Sequence, residues 1–207
     1  MARTDETPWQ VLPLSSLRSP VVLVVDMING FVKEGALADP AIQKAAKPIA
    51  DLIEQTQAPA WFITDTHAED AMEFENFPPH CLKGSEEAQV IDELIPYVKP
   101  DHIIEKNAIS AIFAPDFGRM LESLPEETDL IVTGCCTDLC VEQLALPLLS
   151  WIRQNNQLKK RVIVPVNTVD TYHIEGVHDA KEWNRVALQS MAANGVMVVS
   201  AIEKDKE

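Results

Sequence analysis

The apolar positions of this chain fall into short runs that end at polar or charged residues. Residues 20–27, PVVLVVDM, form a continuous β-branched stretch that predicts a strand buried on both faces of a parallel sheet, with Asp26 at its end. After a turn region around Gly30 and Gly35, Asp39 and Pro40 read as an N-cap followed by a proline at the first helical position. Ile42, Ala45, Ala46, Ile49, Leu52 and Ile53 then recur at helical spacing, and Pro48 predicts a kink or break in that helix. Residues 60–64, AWFIT, predict a second strand running into Asp65. Residues 66–85 show no sustained period and predict a long ordered loop, a feature that in a compact domain usually carries function.

Further along, the pattern predicts a helix over 86–97, a strand over 102–105, a helix near 115–123 and a buried strand over 129–133. GCCTDLCVEQLALPLLSWI begins as a tight turn and continues as an apolar helix from about Leu139. A strand over 162–166, a helix over 182–194 and a last strand over 196–200 complete the chain. Alternation of six β segments with helices predicts an α/β protein, a three-layer α/β/α sandwich with a mostly parallel six-stranded sheet. With no repeat, linker or low-complexity stretch, residues 1–207 read as one domain. Ligands of such sheets bind beyond the carboxyl ends of the strands, which is where Asp26, Lys106 and the 134–140 turn fall.

Composition narrows the partners. Against 17 Lys plus Arg stand 32 Asp plus Glu, a formal charge of -15, which repels phosphate backbones and anionic lipid surfaces and argues against nucleic acid and membrane. The start MARTDETPWQVLPL has no basic segment followed by a long apolar run, so a cytoplasmic location is expected. Four cysteines, Cys81, Cys135, Cys136 and Cys140, are too few and too clustered for a disulfide scaffold and are expected as thiols.

Two constellations can carry chemistry. Cys140 lies near the start of the helix after Gly134, where free backbone N–H groups and a cation such as Lys106 favour the thiolate, and Asp26 is placed to move its proton. Equally, a cysteine at an apolar strand-to-helix junction is a small buried hydrophobe, Asp26 a cap and Lys106 a surface charge. The second set is Asp65, His67, Glu73 and His80, whose carboxylate and imidazole donors suit a divalent transition metal. The same residues also make sense as a polar loop with solvated acids and locally bonded histidines. Thr137 and Asp138 read as turn and capping residues, while His102, His173 and His178 read as structural or exposed. No Gly-rich phosphate loop and no G-x-S-x-G context is present.

Three motifs in order, VVLVVDMINGF with Asp26, IIEKNAISAI with Lys106 and VTGCCTDLCVEQLAL with Cys140, resemble the isochorismatase-like cysteine hydrolases and, within them, the nicotinamidases. The resemblance runs from about residue 21 to 202. It implies a catalytic triad of Cys140, Asp26 and Lys106, a cis peptide between Cys135 and Cys136, and an oxyanion held by the backbone N–H groups of Cys136 and Cys140. D-T-H followed by F-P-P-H-C looks like the nicotinamidase metal loop, which implies Asp65, His67, His80 and Glu73 as ligands, with Glu69 and Glu75 as other loop acids in reach of the fourth place. Zinc is the expected ion, iron and manganese the alternatives, and no organic cofactor is implied.

In nicotinamidases the pyridine ring is sandwiched by aromatic side chains, and Phe31 and Phe77 occupy the matching positions. Ile28-Asn29-Gly30 departs from the more polar segment of many relatives. The activity so implied is hydrolysis of nicotinamide to nicotinate and ammonia through a thioester, a step of pyridine nucleotide salvage, by a homo-oligomer. Hydrolysis of another small amide or carbamoyl compound, or a non-catalytic binding role on the same fold, are the alternatives.

Overall fold

The structure is a computed structural model describing residues 9–205. In chain order the elements are β1 (Leu12–Pro13), β2 (Val21–Val25), α1 (Asn29–Val32), α2 (Ala46–Thr56), β3 (Ala60–Asp65), β4 (Ile103–Lys106), α3 (Pro115–Ser123), β5 (Thr128–Cys135), α4 (Glu142–Gln154), β6 (Lys160–Pro165), β7 (Val169–Asp170), α5 (Ala180–Asn194), β8 (Met197–Val199) and β9 (Ile202–Glu203). The main sheet runs β4-β3-β2-β5-β6-β8, every pair parallel, and β7 adds a seventh strand against β5. The expected count of six is thereby corrected. β7 is only two residues long and follows a 3-10 turn, Val166–Thr168, so it leaves no period-two signature. β1 and β9 pair in a separate two-stranded ladder that no hydrophobic run announces.

Alternation along β2 builds the three layers. Val21, Leu23 and Val25 pack with residues of α3, α4 and α5, among them Phe117, Leu144, Leu148 and Leu188. Val22 and Val24 face the other way, onto α1 and α2 through Val32, Ile49 and Leu52. A strand apolar at every position is therefore required, because both of its faces are interior. Each fully buried Val or Leu contributes about 2 kcal/mol relative to exposure.

The helix ends follow local chemistry. Asp39 accepts from Ala41 N–H at 2.9 Å and starts a 3-10 turn, Pro40–Ala45, which passes into α2 at Ala46. Pro48 thus sits in the first turn of α2, where its missing N–H costs no helical bond, and the change of helix type falls just ahead of it. Asp179 accepts from Glu182 N–H at 2.9 Å, which starts α5 earlier than the apolar period alone suggests. Gly195, at φ 101°, ends it.

The helix expected over 86–97 is absent. Asn29 and Gly30 donate to the carbonyls of Gln89 and Glu87, and Ile91 donates to Met27, so this segment spends its backbone groups sideways on the chain after β2. Ile28 and Val90 form an antiparallel bridge, and only Ile95–Tyr97 coils, as a 3-10 turn. Backbone groups committed to a neighbour cannot also close helical turns.

The strand order reverses between β2 and β5, since the chain builds outward to β4 on one side and to β8 on the other. The residues just past the ends of these two strands, Asp26 and Cys136 onward, therefore meet at the switch point where open α/β sheets bind ligands. Gly134 makes the close approach possible. Its φ is 107°, and a Cβ there would lie 1.9 Å from the Val25 carbonyl oxygen. Gly134→Ala is expected to destabilise the protein by about 3 kcal/mol or more, read as a fall of roughly 6–12 °C in the melting temperature.

Candidate active site

Asp26 follows β2 in the left-handed region, at φ 50°, and this turn carries its carboxylate under the end of β3. Its N–H donates to Ile63 O at 2.8 Å, its Oδ1 accepts the Asp65 N–H at 2.8 Å, and the Cys135 thiol donates to its carbonyl at 3.0 Å. Lys106, the last residue of β4, reaches back from the far side. Its Nζ is 2.9 Å from Asp26 Oδ2, donates to Asp65 Oδ1, and lies 3.6 Å from Cys140 Sγ. A carboxylate oxygen of Asp26, one of Asp65 and the Cys140 sulfur all lie within 4.8 Å of one another. Three residues from three other chain segments thus surround the Lys106 ammonium.

Charge balance sets the protonation states. Burial opposes the charge on Lys106, but Asp26 and Asp65 outweigh it and hold the amine well above its ordinary range. Burial pushes Asp26 up to about 6, against the pull of Lys106 and with a further push from Asp65. Burial also raises the Cys140 thiol well above its usual range, because Lys106 is opposed by both carboxylates. The expectation of a preformed thiolate at a helix start is corrected here. Cys140 is 6% exposed and sits within a π-turn, Thr137–Val141, in which Cys136 O accepts from Leu139 and Val141, at 3.0 and 3.1 Å. The sulfur is thus favoured as a buried thiol, with the Asp26 carboxyl group close by.

The bond between Cys135 and Cys136 is cis. Thr137 and Asp138 do not cap: no side chain caps the π-turn, Thr137 Oγ1 is buried without a partner, and Asp138 points away to other elements.

Beyond β3 the loop returns on itself. His67 N–H donates to Cys81 O and its carbonyl accepts from Lys83, both at 2.9 Å, while Glu87 Oε2 accepts the Cys81 N–H at 2.8 Å. This closure gathers Asp65, His67, Glu73 and His80, each offering one donor atom, with all four atoms within 4.8 Å of one another. His67 Nδ1 donates to Asn107 Oδ1 at 3.1 Å, and His80 Nδ1 donates to Pro78 O at 2.9 Å, so both rings turn Nε2 inward as a lone pair. His67 Nε2 is buried with no hydrogen-bond partner.

Burial works against positive charge on His67, yet Asp65 and Asn107 outweigh it and raise its pKa. Burial and the Asp65 charge raise Glu73. Two carboxylates and two inward Nε2 lone pairs, one of them orphaned, fit a divalent cation. Glu69 and Glu75 are not part of this cluster.

One pocket touches both groups, lined by Cys136, Cys140 and Asp65 together with Glu73, His80, Phe31 and Phe77. The Phe31 and Phe77 rings lie 5.6 and 6.3 Å from that of His80. Leu37, Ile109 and Leu139 complete the apolar lining. Sequence reasoning missed Asn107, which orients His67, and Phe74, whose ring stands edge-on to His67 and His80 at 5.3 and 5.6 Å. Asn107 directly follows Lys106, and that adjacency was the available signal. His102 stacks on Trp61 and is structural, His173 is half-exposed, and His178 is buried and paired with Asp138.

An isochorismatase domain matches residues 20–203, most of the chain. The chain therefore belongs to the isochorismatase family, an α/β class of hydrolases. Among curated proteins it is 26% identical to a probable inactive nicotinamidase of Arabidopsis thaliana, over 61% of this chain and 70% of that one. It is 25% identical to nicotinamidase 1 of the same plant, over 62% of this chain and 59% of that one. Its fold is shared with an isochorismatase-like hydrolase from Alkaliphilus metalliredigens, at TM-score 0.71 and 21% identity over 87% of this chain and 94% of that one. It is shared too with a pyrazinamidase of Pyrococcus horikoshii in complex with zinc, at TM-score 0.68 and 22% identity over 87% and 98%. Among the described residues, no helix is long and apolar enough to cross a membrane.

With Asp26 pushed up to about 6, a role as base for the thiol proton would be open to it only above that range. Alkylation of Cys140 by iodoacetamide is expected to rise about tenfold per pH unit below that point and to flatten above it. Asp26→Asn is expected to remove this limb, as followed by mass analysis of the Cys140 peptide.

Proposed function

We propose that the protein is a nicotinamidase-type amidohydrolase that converts nicotinamide to nicotinate and ammonia through a thioester on Cys140. The observation that carries the reading is a single pocket lined both by Cys140 and by the Asp65, Glu73 and His80 donors. The similarity to nicotinamidase 1 of Arabidopsis thaliana supports the same substrate class. Family membership supports hydrolase chemistry, and the donor cluster favours an amide on a ring that bears its own nitrogen donor.

Asp26 takes the Cys140 proton as the sulfur attacks the carboxamide carbon, and delivers it to the departing nitrogen, releasing ammonia. Water then adds to the thioester with Asp26 accepting its proton, the carbon–sulfur bond breaks, and the proton returns to sulfur. Lys106, 2.9 Å from Asp26 and 3.6 Å from the sulfur, stays charged throughout and steadies whichever of them is anionic. The backbone N–H groups of Cys136 and Cys140 hold the oxyanion. Phe31 and Phe77, which line the pocket, would flank a flat ring. Asp65, His67, Glu73 and His80 would hold a divalent ion, zinc by donor type, which would supply a Lewis acid for a ring nitrogen. All of these residues act on a ligand small enough to be enclosed between the strand ends and the 66–85 loop.

The purified protein is expected to release ammonia from nicotinamide and to carry one divalent ion per chain by elemental analysis. Cys140→Ala is expected to lose roughly 10⁴-fold or more of that activity with its fold intact, and a chelator to remove ion and activity together. An unimpaired Cys140→Ala would overturn the mechanism. An ion-free protein, indifferent to chelator, would move the substrate to another small amide or carbamoyl compound.

A further inference from the structure

Asp138 stands two residues before Cys140 in the π-turn, and its side chain leaves the turn altogether. Oδ1 accepts the Thr171 hydroxyl at 2.5 Å, and Oδ2 lies 2.9 Å from His178 Nε2. His178 Nδ1 donates to the Tyr172 carbonyl at 2.8 Å, which leaves Nε2 as the ring nitrogen turned to Asp138. Both partners are nearly withdrawn from water, at 8% and 6% side-chain exposure. The imidazole lies flat between Tyr172 and Trp183, with ring centroids at 3.9 and 5.1 Å and interplanar angles of 13° and 2°. The ring thus has one orientation, fixed on both faces and at both nitrogens.

The segment that carries it is closed on itself and tied to the rest of the site. Ile174 and His178 exchange both backbone hydrogen bonds, at 2.9 and 2.8 Å. His173 N–H donates to Asp39 at 2.9 Å. Thr171 directly follows β7, which pairs with Gly134 and Cys135 of β5. The 169–178 segment therefore holds the nucleophile turn before the cis bond through β7 and after it through Asp138. A π-turn lacks the regular register that fixes an α-helical first turn, so its shape depends on such side-chain anchors.

We infer that His178, Asp138 and Thr171 form a latch that positions the nucleophile turn, setting the Cys140 sulfur on Asp26 and Lys106 without touching substrate. The inference rests on Cys140 being the nucleophile and not on which amide is cleaved. Mispositioning of a reacting atom by about 1 Å costs on the order of 100-fold in rate. His178→Ala and Asp138→Ala are therefore expected to lower kcat for nicotinamide about 100-fold, with KM little changed, and to slow alkylation of Cys140 by iodoacetamide in parallel. Asp138→Asn can still accept from Thr171 and donate to a neutral His178 Nε2, so it is expected to recover most of what Asp138→Ala loses.

Circular dichroism identifies variants that fold, and Thr171→Val, which removes one hydroxyl, carries the same kcat and alkylation test should an alanine variant not fold. Unchanged kcat and alkylation in the folded variants would overturn the latch. So would an Asp138→Asn as impaired as Asp138→Ala, because that would give the charge itself a chemical role. If wild-type protein leaves nicotinamide intact, the substrate assignment fails, while the alkylation rates still decide the latch.

Discussion

One buried ammonium holds this site together. Lys106 faces Asp26, Asp65 and the Cys140 sulfur at once, and all four groups are almost wholly removed from water. Taking such charges into a protein interior costs several kcal/mol per ion unless partners satisfy them. The arrangement survives because each strand end delivers its charge to the same point: β2 brings Asp26, β3 brings Asp65, β4 brings Lys106, and β5 leads into the turn with Cys140. Neighbouring strands lie about 5 Å apart, which is the spacing at which side chains from successive ends meet.

The balance at that point is unequal, and the inequality sets which groups hold their protons. One ammonium serves two carboxylates, so the thiol keeps its proton and Asp26 is left close to neutrality in affinity, at about 6. A base poised there can both take and return a proton near neutral pH. Asp65 belongs at once to this group and to the His67, Glu73 and His80 cluster. Positive charge gathered by that cluster would draw on the same carboxylate, and the field of Lys106 would then fall more fully on Asp26 and the sulfur. The two halves of the pocket are in this sense one electrostatic system.

What the sequence makes legible is what its local pattern encodes. Asp26 and Asp65 end runs of apolar residues, so their place at strand ends follows directly, and the loop after β3 stands out by its lack of period. The missing helix over 86–97 was illegible because its apolar residues serve lateral pairing with Met27 to Gly30, a tertiary choice. The pairing of His178 with Asp138 spans forty positions and joins a loop to a turn, which no spacing rule anticipates. Asn107 has an ordinary loop side chain until the fold sets it against His67. The thiol's protonation was misjudged for a related reason. Lys106 alone favours a thiolate, and only the fold reveals that Asp65 claims the same ammonium.

The most direct measurement of this account is acid quenching of the protein during turnover of nicotinamide, followed by mass analysis of its peptides. The account predicts a nicotinoyl group in thioester linkage on Cys140 in the wild type, and none in a folded Lys106→Met variant. Ammonia release with no acyl group on Cys140, or with the group on another residue, would contradict it.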